Sequence, residues 1–283
     1  MTPRLIRDDR PVDPIIIDIL RAVAGDASAE GIDYMLVGAT ARDILLNHVF
    51  GIVARRATYD VDFAVAVRDW QQFDALRTRL LSRGNFKEQG MAKQRLYFLG
   101  PTGVPGYQLD LVPFGEIAEG AAQIAWPPDM AVIMSVVGYD DALAAAEQVK
   151  LAADFDVKVV SLSGLAMLKL VAWSERGRAN PKDAHDLIHL MDSYTAAGNL
   201  ERVYDEEGVI EAGDADPDLA GAYLLGKDIQ RVASAETLEV LLRIIRQDFD
   251  RLSNEMIKAN RHLDNVEERV VSRLRLLEKS LTQ

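Results

Sequence analysis

The sequence predicts an α+β protein in which a mixed sheet with flanking helices is followed by a helical C-terminal domain. Two observations predict this class. Up to about residue 160, short apolar runs of strand type occur together with helical segments, a pattern typical of a sheet covered by helices. After Ser161 the apolar residues recur at helical spacing. We therefore expect two domains, over residues 1–160 and residues 161–283.

The elements of the first domain are placed by the spacing of apolar residues and by the turn residues between them. Apolar side chains over Pro14–Gly25 and over Trp70–Ser82 predict helices. Thr40 carries a hydroxyl of the kind that caps a helix, so we expect a helix over residues 41–46. Glycine and proline between residues 100 and 106 predict the turn of a hairpin. The predicted strands of this part are Tyr34–Val37, Asp60–Val67, Gln94–Leu99 and Tyr107–Pro113.

The rest of the chain changes from mixed to helical signals. Residues 130–160 predict a strand over Val132–Val137, an alanine-rich helix over Asp140–Val149 and a strand over Val157–Val160. Pro181 suits the first turn of a helix. We expect a polar acidic loop over Gly208–Pro217. The predicted helices of the second domain are Ser163–Arg176, Asn180–Ala196, Ala235–Ser253 and Val266–Leu281.

Composition excludes several classes of protein. No apolar run approaches the roughly 18–20 residues needed to span a bilayer, and the first ten residues lack the features of a signal peptide. We expect a cytoplasmic protein without a membrane partner. The chain contains no cysteine, so disulfides and thiolate metal sites are excluded. Its net charge of −12 argues against broad non-specific binding to nucleic acid, although a local basic patch could still dock RNA.

Three acidic residues in apolar strands predict a metal site. Asp60 and Asp62 stand at i and i+2 of one strand, so their side chains face the same way and can converge on one cation. Asp110 lies in a second strand and could complete a site for two divalent ions, an arrangement suited to phosphoryl and nucleotidyl transfer. The alternative is a solvated strand face, but aspartate is depleted in strands. Asp110 taken alone is equally well explained as a strand-end acid.

The turn Gly38-Ala39-Thr40 joins a strand to a helix and predicts a phosphate site. Small residues let backbone N–H groups approach a phosphate at the positive end of a helix. A tight strand-to-helix turn without a ligand also requires small residues. Because Asp60, Asp62 and Asp110 are present as well, we favour the phosphate site. Neither a Walker-type loop nor a Gly-x-Gly-x-x-Gly turn opening a helix is present. The basic loop with Arg55 and Arg56 could hold an anionic substrate or be solvated, and we favour the solvated loop.

Lys169 is unusual because it stands in an otherwise apolar helical segment. It either extends to the surface along its aliphatic stem or binds a phosphate, and we favour the phosphate. Asp183 and Asp186 follow in a charge-dense segment. Neither acid requires a ligand to explain it. Asp183 could complement the dipole of its helix, and Asp186 could pair with Lys182.

Together these motifs resemble the nucleotidyltransferase superfamily related to DNA polymerase beta. Its pattern of a hydrophobic residue, glycine and a small residue, then Asp-x-Asp, then a later acid matches Val37-Gly38-Ala39, Asp60-Val61-Asp62 and Asp110 in order. Within it, the chain most resembles the AbiEii-type and minimal nucleotidyltransferases of prokaryotic toxin–antitoxin systems. These carry a similar turn, a helical lysine and a Lys-Asp-x-x-Asp helix, matched here by Lys169 and by residues 182–186. The resemblance covers roughly residues 30–195.

Two features depart from that pattern. Ala39 stands where the family usually has a second glycine or a serine, and the spacing between Ala39 and Asp60 implies an inserted loop around Val49–Thr58. Residues 38–43 also look like the Gly-Gly-x-Val-Arg-Asp turn of tRNA CCA-adding enzymes. The Arg-Arg-Asp-Phe-type segment expected downstream in that family is not found in this sequence.

The resemblance implies a nucleotidyltransferase of the corresponding fold that needs Mg²⁺ or Mn²⁺ and uses a nucleoside triphosphate such as ATP. Asp60, Asp62 and Asp110 would be the catalytic and metal-binding residues, with Asp110 helping to deprotonate an acceptor hydroxyl. Gly38, Ala39, Thr40, Lys169 and Asp183 would bind the nucleotide. The acceptor could be RNA, protein or a small molecule, and a cognate antitoxin is an expected partner. The alternative is a non-catalytic nucleotide-binding or assembly module that retains the fold.

Overall fold

The computed structural model describes residues 2–53, 60–90, 92–100, 103, 105–177, 180–261 and 264–282. These residues form two compact units, Met1–Ser161 and Leu162–Gln283. The expected basic loop with Arg55 and Arg56, and the second half of the expected insertion around Val49–Thr58, lie outside the described residues.

The first unit is built on a mixed sheet, which confirms the predicted α+β class. Its strand order is β1-β9-β10-β2-β3-β6-β5-β4, and β7 pairs with β8 in a separate two-stranded sheet. The pair β3·β6 is parallel, whereas β2·β3 and β5·β6 are antiparallel. The strands are β1 (Arg4–Leu5), β2 (Asp33–Val37), β3 (Asp60–Ala66), β4 (Phe86–Lys87), β5 (Arg95–Leu99), β6 (Pro105–Phe114), β7 (Gln123–Trp126), β8 (Val132–Ser135), β9 (Glu147–Ala152) and β10 (Phe155–Val159).

Helices accompany the sheet in the first unit and make up the second unit. The helix α2 continues directly into a wider π-type segment, Ile44–Val49, and a second such segment spans Thr195–Asn199. The α-helices are α1 (Pro14–Ala29), α2 (Gly38–Asp43), α3 (Trp70–Ser82), α4 (Tyr139–Ala144), α5 (Leu162–Arg176), α6 (Lys182–Ser193), α7 (Leu200–Asp205), α8 (Val209–Ala212), α9 (Pro217–Val232), α10 (Ala235–Ala259) and α11 (Val266–Ser280). No helix in the described part of the chain is both long enough and apolar enough to cross a membrane.

The central strand β3 positions the acidic residues through its alternation. Val61, Phe63 and Val65 are fully buried on one face, whereas Asp60 is exposed and Asp62 is half-buried on the other. Burial of the apolar face fixes the register, because a slip of one residue would move the acids into the core. The strand therefore presents both carboxylates on the face opposite its apolar side chains.

Two expectations about secondary structure are wrong. The predicted helix over Asp140–Val149 ends at Ala144, and Glu147–Ala152 forms β9, which pairs with β10 and β1. Sheet pairing has overridden the helical preference of the alanines. The predicted loop over Gly208–Pro217 contains the short helix α8.

The helix α9 was not predicted from the sequence, and it is central to the second unit. It contains Gly221 and Gly226, which lower helix propensity. Gly226 lies so close to α11 that an added Cβ would come 2.9 Å from the Cβ of Ser280. The glycine that weakens the helix signal thus allows two helices to approach closely.

A buried ionic cluster ties α9 to the helical segments before it. Asp228 accepts hydrogen bonds from Arg202 at 2.7 and 2.8 Å, from Arg231 at 2.6 Å and from the hydroxyl of Tyr194. Burial alone would raise the pKa of the Asp228 carboxyl, but the hydrogen bonds from Arg202 and Tyr194 lower it below its ordinary value. The cluster satisfies the buried charge of Asp228.

Candidate functional site

The turn after β2 lies directly against the acidic strand. Gly38 has a φ of +70°, and a Cβ built on it would lie 2.8 Å from Cγ and 2.9 Å from Cβ of Asp62. Only glycine fits here, because the backbone is left-handed and the space of a side chain is filled by the Asp62 carboxylate. The strand pairing Val37↔Asp62 produces this contact. Gly38 and Asp62 therefore form one local structure although they are 24 positions apart in the sequence.

Thr40 has a different role from the one predicted. The helix α2 begins at Gly38 with Val37 at the cap position, and no side chain caps it. The hydroxyl of Thr40, which is buried, instead donates a hydrogen bond of 2.6 Å to the backbone carbonyl of Asp60. The expected cap is thus wrong, because the strand carbonyl is the acceptor within reach. The bond fastens the turn to the strand that carries both acids.

The other residues of α2 complete the turn. Ala39 is half-buried in the first turn of α2. Arg42 is buried, and its guanidinium donates two hydrogen bonds to Asp43, of 2.7 and 2.9 Å. The first N–H groups of a helix have no partner within the helix. The backbone of Gly38, Ala39 and Thr40 therefore offers donors of the type that bind phosphate oxygens.

Asp110 lies in the same row of the sheet as Asp62. The register pairs Asp62 with Asp110 across β3·β6 and Asp110 with Arg95 across β5·β6. Directly opposed residues of neighbouring strands project from the same face of a sheet. The row thus runs from Asp62 through Asp110 to Arg95, with Asp60 two residues away on β3.

Arg95 binds the carboxylate of Asp110 with both arms of its guanidinium. Its Nε donates to Oδ1 at 2.8 Å and its Nη2 donates to Oδ2 at 2.9 Å, while the amide of Gln108 adds a third bond to Oδ2 at 2.9 Å. The side chains of Arg95 and Asp110 are 33% and 17% exposed. The hydrogen bonds to Asp110 raise the pKa of the Arg95 guanidinium further above its ordinary value. Arg95 is therefore permanently charged, and Asp110 has a fixed cationic partner.

The three acids differ in how well they fit a divalent cation. Carboxylates of alternate residues on one strand are suitable oxygen ligands for Mg²⁺, so Asp60 and Asp62 fit such an ion. Asp110 has both oxygens bonded to Arg95 and Gln108. In the described part of the chain, no three histidine, aspartate or glutamate side chains are grouped as a metal site. On this face, Asp60 and Asp62 are the carboxylates that could hold a cation, and the third carboxylate is held by Arg95.

The second unit contains the other candidates, Lys169 and Asp183. The ammonium of Lys169, in α5, donates to Asp183 at 3.0 Å and lies 2.6 Å from a carboxylate oxygen of Asp186, both in α6. Arg176 adds two bonds to Asp183, at 2.7 and 3.2 Å. Asp186 therefore has Lys169 of the preceding helix as a partner.

Burial and pairing act against each other on these charges. Burial lowers the pKa of Lys169, which is only 9% exposed, but the charges of Asp186 and Asp183 outweigh burial and hold that pKa above its ordinary value. Burial raises the pKa of Asp183, and Arg176 and Lys169 bring it below its ordinary value. Lys169 and Asp183 are therefore both ionised at neutral pH. Lys169 thus neither extends to the surface nor projects unpaired.

Sequence reasoning missed Arg95 and Gln108. The hairpin that carries them was predicted. Its predicted turn, residues 100–106, is long enough to allow two registers of the strands that differ by one residue. In one register Arg95 opposes Asp110, and in the next it would oppose Leu111. The sequence signal that could have found the pair was a cation opposite an acid on a shared face.

Several solved structures show a low similarity to this chain. Among solved structures it is similar to an antigenic nucleotidyltransferase-like protein from Paracoccidioides brasiliensis (16% identity over 73% of this chain and 93% of that one, TM-score 0.39). It is also similar to the antibiotic-resistance factor ANT(2'')-Ia (14% identity, 86% and 97% coverage, TM-score 0.39) and to the Thermotoga maritima CCA-adding enzyme complexed with tRNA (11% identity, 97% and 83% coverage, TM-score 0.26). We draw no inference from these low scores.

No curated protein matches the chain. Residues 19–269, which are most of the chain, match the family described as "Nucleotidyl transferase AbiEii toxin, Type IV TA system". This match agrees with the resemblance carried by the glycine turn and the Asp-x-Asp strand. The chain therefore belongs to the AbiEii nucleotidyltransferase family.

Proposed function

We propose that this protein transfers a nucleoside monophosphate group from a nucleoside triphosphate to an acceptor hydroxyl, using Mg²⁺ or Mn²⁺. One observation carries the proposal: Asp60 and Asp62 share a face of β3, and the Gly38 turn is packed against Asp62 and bonded to the Asp60 carbonyl. A pair of carboxylates for a cation thus lies beside backbone donors for phosphate. Family membership supplies the reaction class.

In this proposal the acceptor oxygen bonds to the α-phosphorus while the bond from that phosphorus to the pyrophosphate oxygen breaks. Asp60 and Asp62 would hold the divalent cation, which would supply neutralisation of charge on the phosphates. The backbone of Gly38, Ala39 and Thr40 holds phosphate oxygens and orients the triphosphate for in-line attack. Catalysis would come chiefly from positioning and charge neutralisation.

Asp110 is our candidate for the group that takes the proton of the acceptor hydroxyl. Both of its oxygens accept hydrogen bonds in the structure, two of them from Arg95. The guanidinium lies against both of these oxygens and so stands where the acceptor hydroxyl would have to approach. We therefore propose that Asp110 acts as a base only once Arg95 has moved.

Lys169 and Asp183 remain proposed nucleotide-binding residues. Lys169 already pairs with two carboxylates, so a triphosphate would have to replace one of them. The phosphate would then replace that carboxylate as a counter-ion of the buried ammonium, so that its charge is not left unpaired. The acceptor could be RNA, protein or a small molecule, and we propose a cognate antitoxin as a partner because of the family description.

The test incubates the purified protein with Mg²⁺ and each labelled nucleoside triphosphate, ATP included, in the presence of total RNA, cell protein or a panel of small-molecule acceptors. Asp60→Asn and Asp62→Asn keep the side-chain shape while removing the charge. Asp156→Asn is the matched control, because Asp156 lies on β10 of the same sheet and pairs with Lys150. Transfer by the wild type and the control, and its loss in both site variants, would support the proposal.

A second function is favoured by one observation, the neutralisation of Asp110 by Arg95. A nucleotide-binding module without catalysis would retain the Gly38 turn and would not need a free third carboxylate. Nucleotide binding without transfer to any acceptor would support this module and contradict the enzyme.

A further inference from the structure

Arg95 binds the carboxylate that would complete a site of three carboxylates with Asp60 and Asp62. Its guanidinium lies opposite Asp110 in the row that contains Asp62, and it binds both oxygens of Asp110. A fixed positive charge repels a divalent cation at the same carboxylate and competes for the same lone pairs. The pair is part-buried, so solvent screens this repulsion only in part.

We propose that Arg95 is a positioning residue that acts as an internal counter-ion for Asp110 and excludes a second divalent ion from the site. The inference rests on the proposed function, because it takes Asp60 and Asp62 as the ligands of the first ion. The site then binds one ion without substrate, and Asp110 joins the ligands only when Arg95 is displaced. A triphosphate is a suitable displacing group, since guanidinium pairs with phosphate as well as with carboxylate.

The charge of Arg95, and not its shape, carries this effect. Arg95→Gln removes the charge while an amide can still donate one hydrogen bond to Asp110. Arg95→Lys keeps the charge and loses the two-armed geometry. A purely structural role for Arg95 would be disturbed by both substitutions, whereas exclusion of a cation would be relieved by glutamine alone.

The experiment measures binding of Mn²⁺ alone, by the electron paramagnetic resonance signal of the free ion, without nucleotide or turnover. We expect one Mn²⁺ per wild-type chain, and a second in Arg95→Gln whose affinity is at least about tenfold higher than any second site of the wild type, which corresponds to about 1.4 kcal/mol. Arg95→Lys should match the wild type. In Arg95→Gln combined with Asp110→Asn, the second ion should be lost again.

Arg21→Gln is the matched control. Arg21 also holds a carboxylate with two bonds, to Asp154 at 2.9 and 3.0 Å, so the substitution changes the net charge equally. A second ion that appears in Arg21→Gln as well would overturn the inference, since net charge alone would explain it. If Arg95→Gln fails to unfold cooperatively, Arg95→Met serves as the second neutral variant.

The outcomes separate this inference from the proposed function. If Asp60→Asn leaves Mn²⁺ binding of the wild type unchanged, the metal site of the proposed function is wrong. If Asp60→Asn abolishes the first ion but Arg95→Gln gains no second ion, the inference is wrong and the proposed function stands.

Discussion

Substitution of Gly38 by alanine separates two costs that usually occur together. The first is backbone strain, because an L-residue at a φ of +70° costs roughly 1–2 kcal/mol. The second is overlap with Asp62, whose Cγ would lie 2.8 Å from the new Cβ. Carbon atoms in good contact are about 3.5–4.0 Å apart. The Asp62 carboxylate must therefore move by roughly 1 Å, or the turn must move away from it.

Gly31 provides a control for the first cost. Its φ is +65°, and an added Cβ would meet no atom within 4 Å. Gly31→Ala should lower the free energy of unfolding by roughly 1–2 kcal/mol through strain alone. Gly38→Ala should lower it by at least as much, and it should also displace a ligand of the proposed cation site.

The two variants should differ most in function. A displacement of about 1 Å near reacting groups can cost about a hundredfold in rate. We expect Gly38→Ala to lose about that much transferase activity and to bind Mn²⁺ more weakly, while Gly31→Ala keeps both. Urea unfolding, Mn²⁺ binding and transfer assays on both variants test this. Equal activity in the two alanine variants would refute the argument that Gly38 positions Asp62.

Three further predictions follow from individual contacts. Thr40→Val removes the donor to the Asp60 carbonyl and should lower the free energy of unfolding by about 1 kcal/mol in urea titrations. Thr40→Ser keeps the hydroxyl and should not lower it in this way. An equal loss in both variants would contradict the hydrogen bond as the cause. Tyr194→Phe removes a hydroxyl that donates to the buried Asp228, so we expect a loss of about 2 kcal/mol in the same measurement; no loss would mean that the two arginines alone satisfy the carboxylate. The pKa values of Asp183 and Asp228 are lower in the folded protein than their ordinary values. These two carboxylates therefore stabilise the folded protein fully above about pH 4, and their contribution to the free energy of unfolding falls as the pH decreases below that value. Unfolding measured between neutral and strongly acidic pH should show this loss, and Asp228→Asn should reduce the slope; an unchanged slope would contradict the assignment.

The sequence determined the parts of the site that local rules control. A buried strand alternates with a period of two, so the positions of Asp60 and Asp62 on one face followed from β3 alone. The small residues between a strand and a helix indicated a tight turn at Gly38–Thr40, and only the structure showed that Gly38 has a positive φ there. Family membership followed from the same motifs, because they are contiguous or nearly so in the chain.

Tertiary structure decided which partners these residues have. Thr40 donates to a strand carbonyl and does not cap its helix, because β2 and β3 pair in a register that brings that carbonyl within reach. Lys169 pairs with two acids of the next helix, which depends on how α5 packs against α6. Helix packing also determines that α9 forms. Its glycines weaken the helix signal in the sequence, and Gly226 permits the close contact with α11.

The contact between Arg95 and Asp110 shows most clearly what could not be predicted from the sequence. Strand, hairpin and acid were all predictable, but a shift of one residue in a seven-residue turn would place Arg95 opposite Leu111. The free-energy difference between two such registers is summed over the packing of the whole sheet and is not contained in the turn. Local sequence therefore determined which chemical groups this protein carries and on which elements, whereas strand register, a property of the packed sheet, decided that the third carboxylate is held by an arginine.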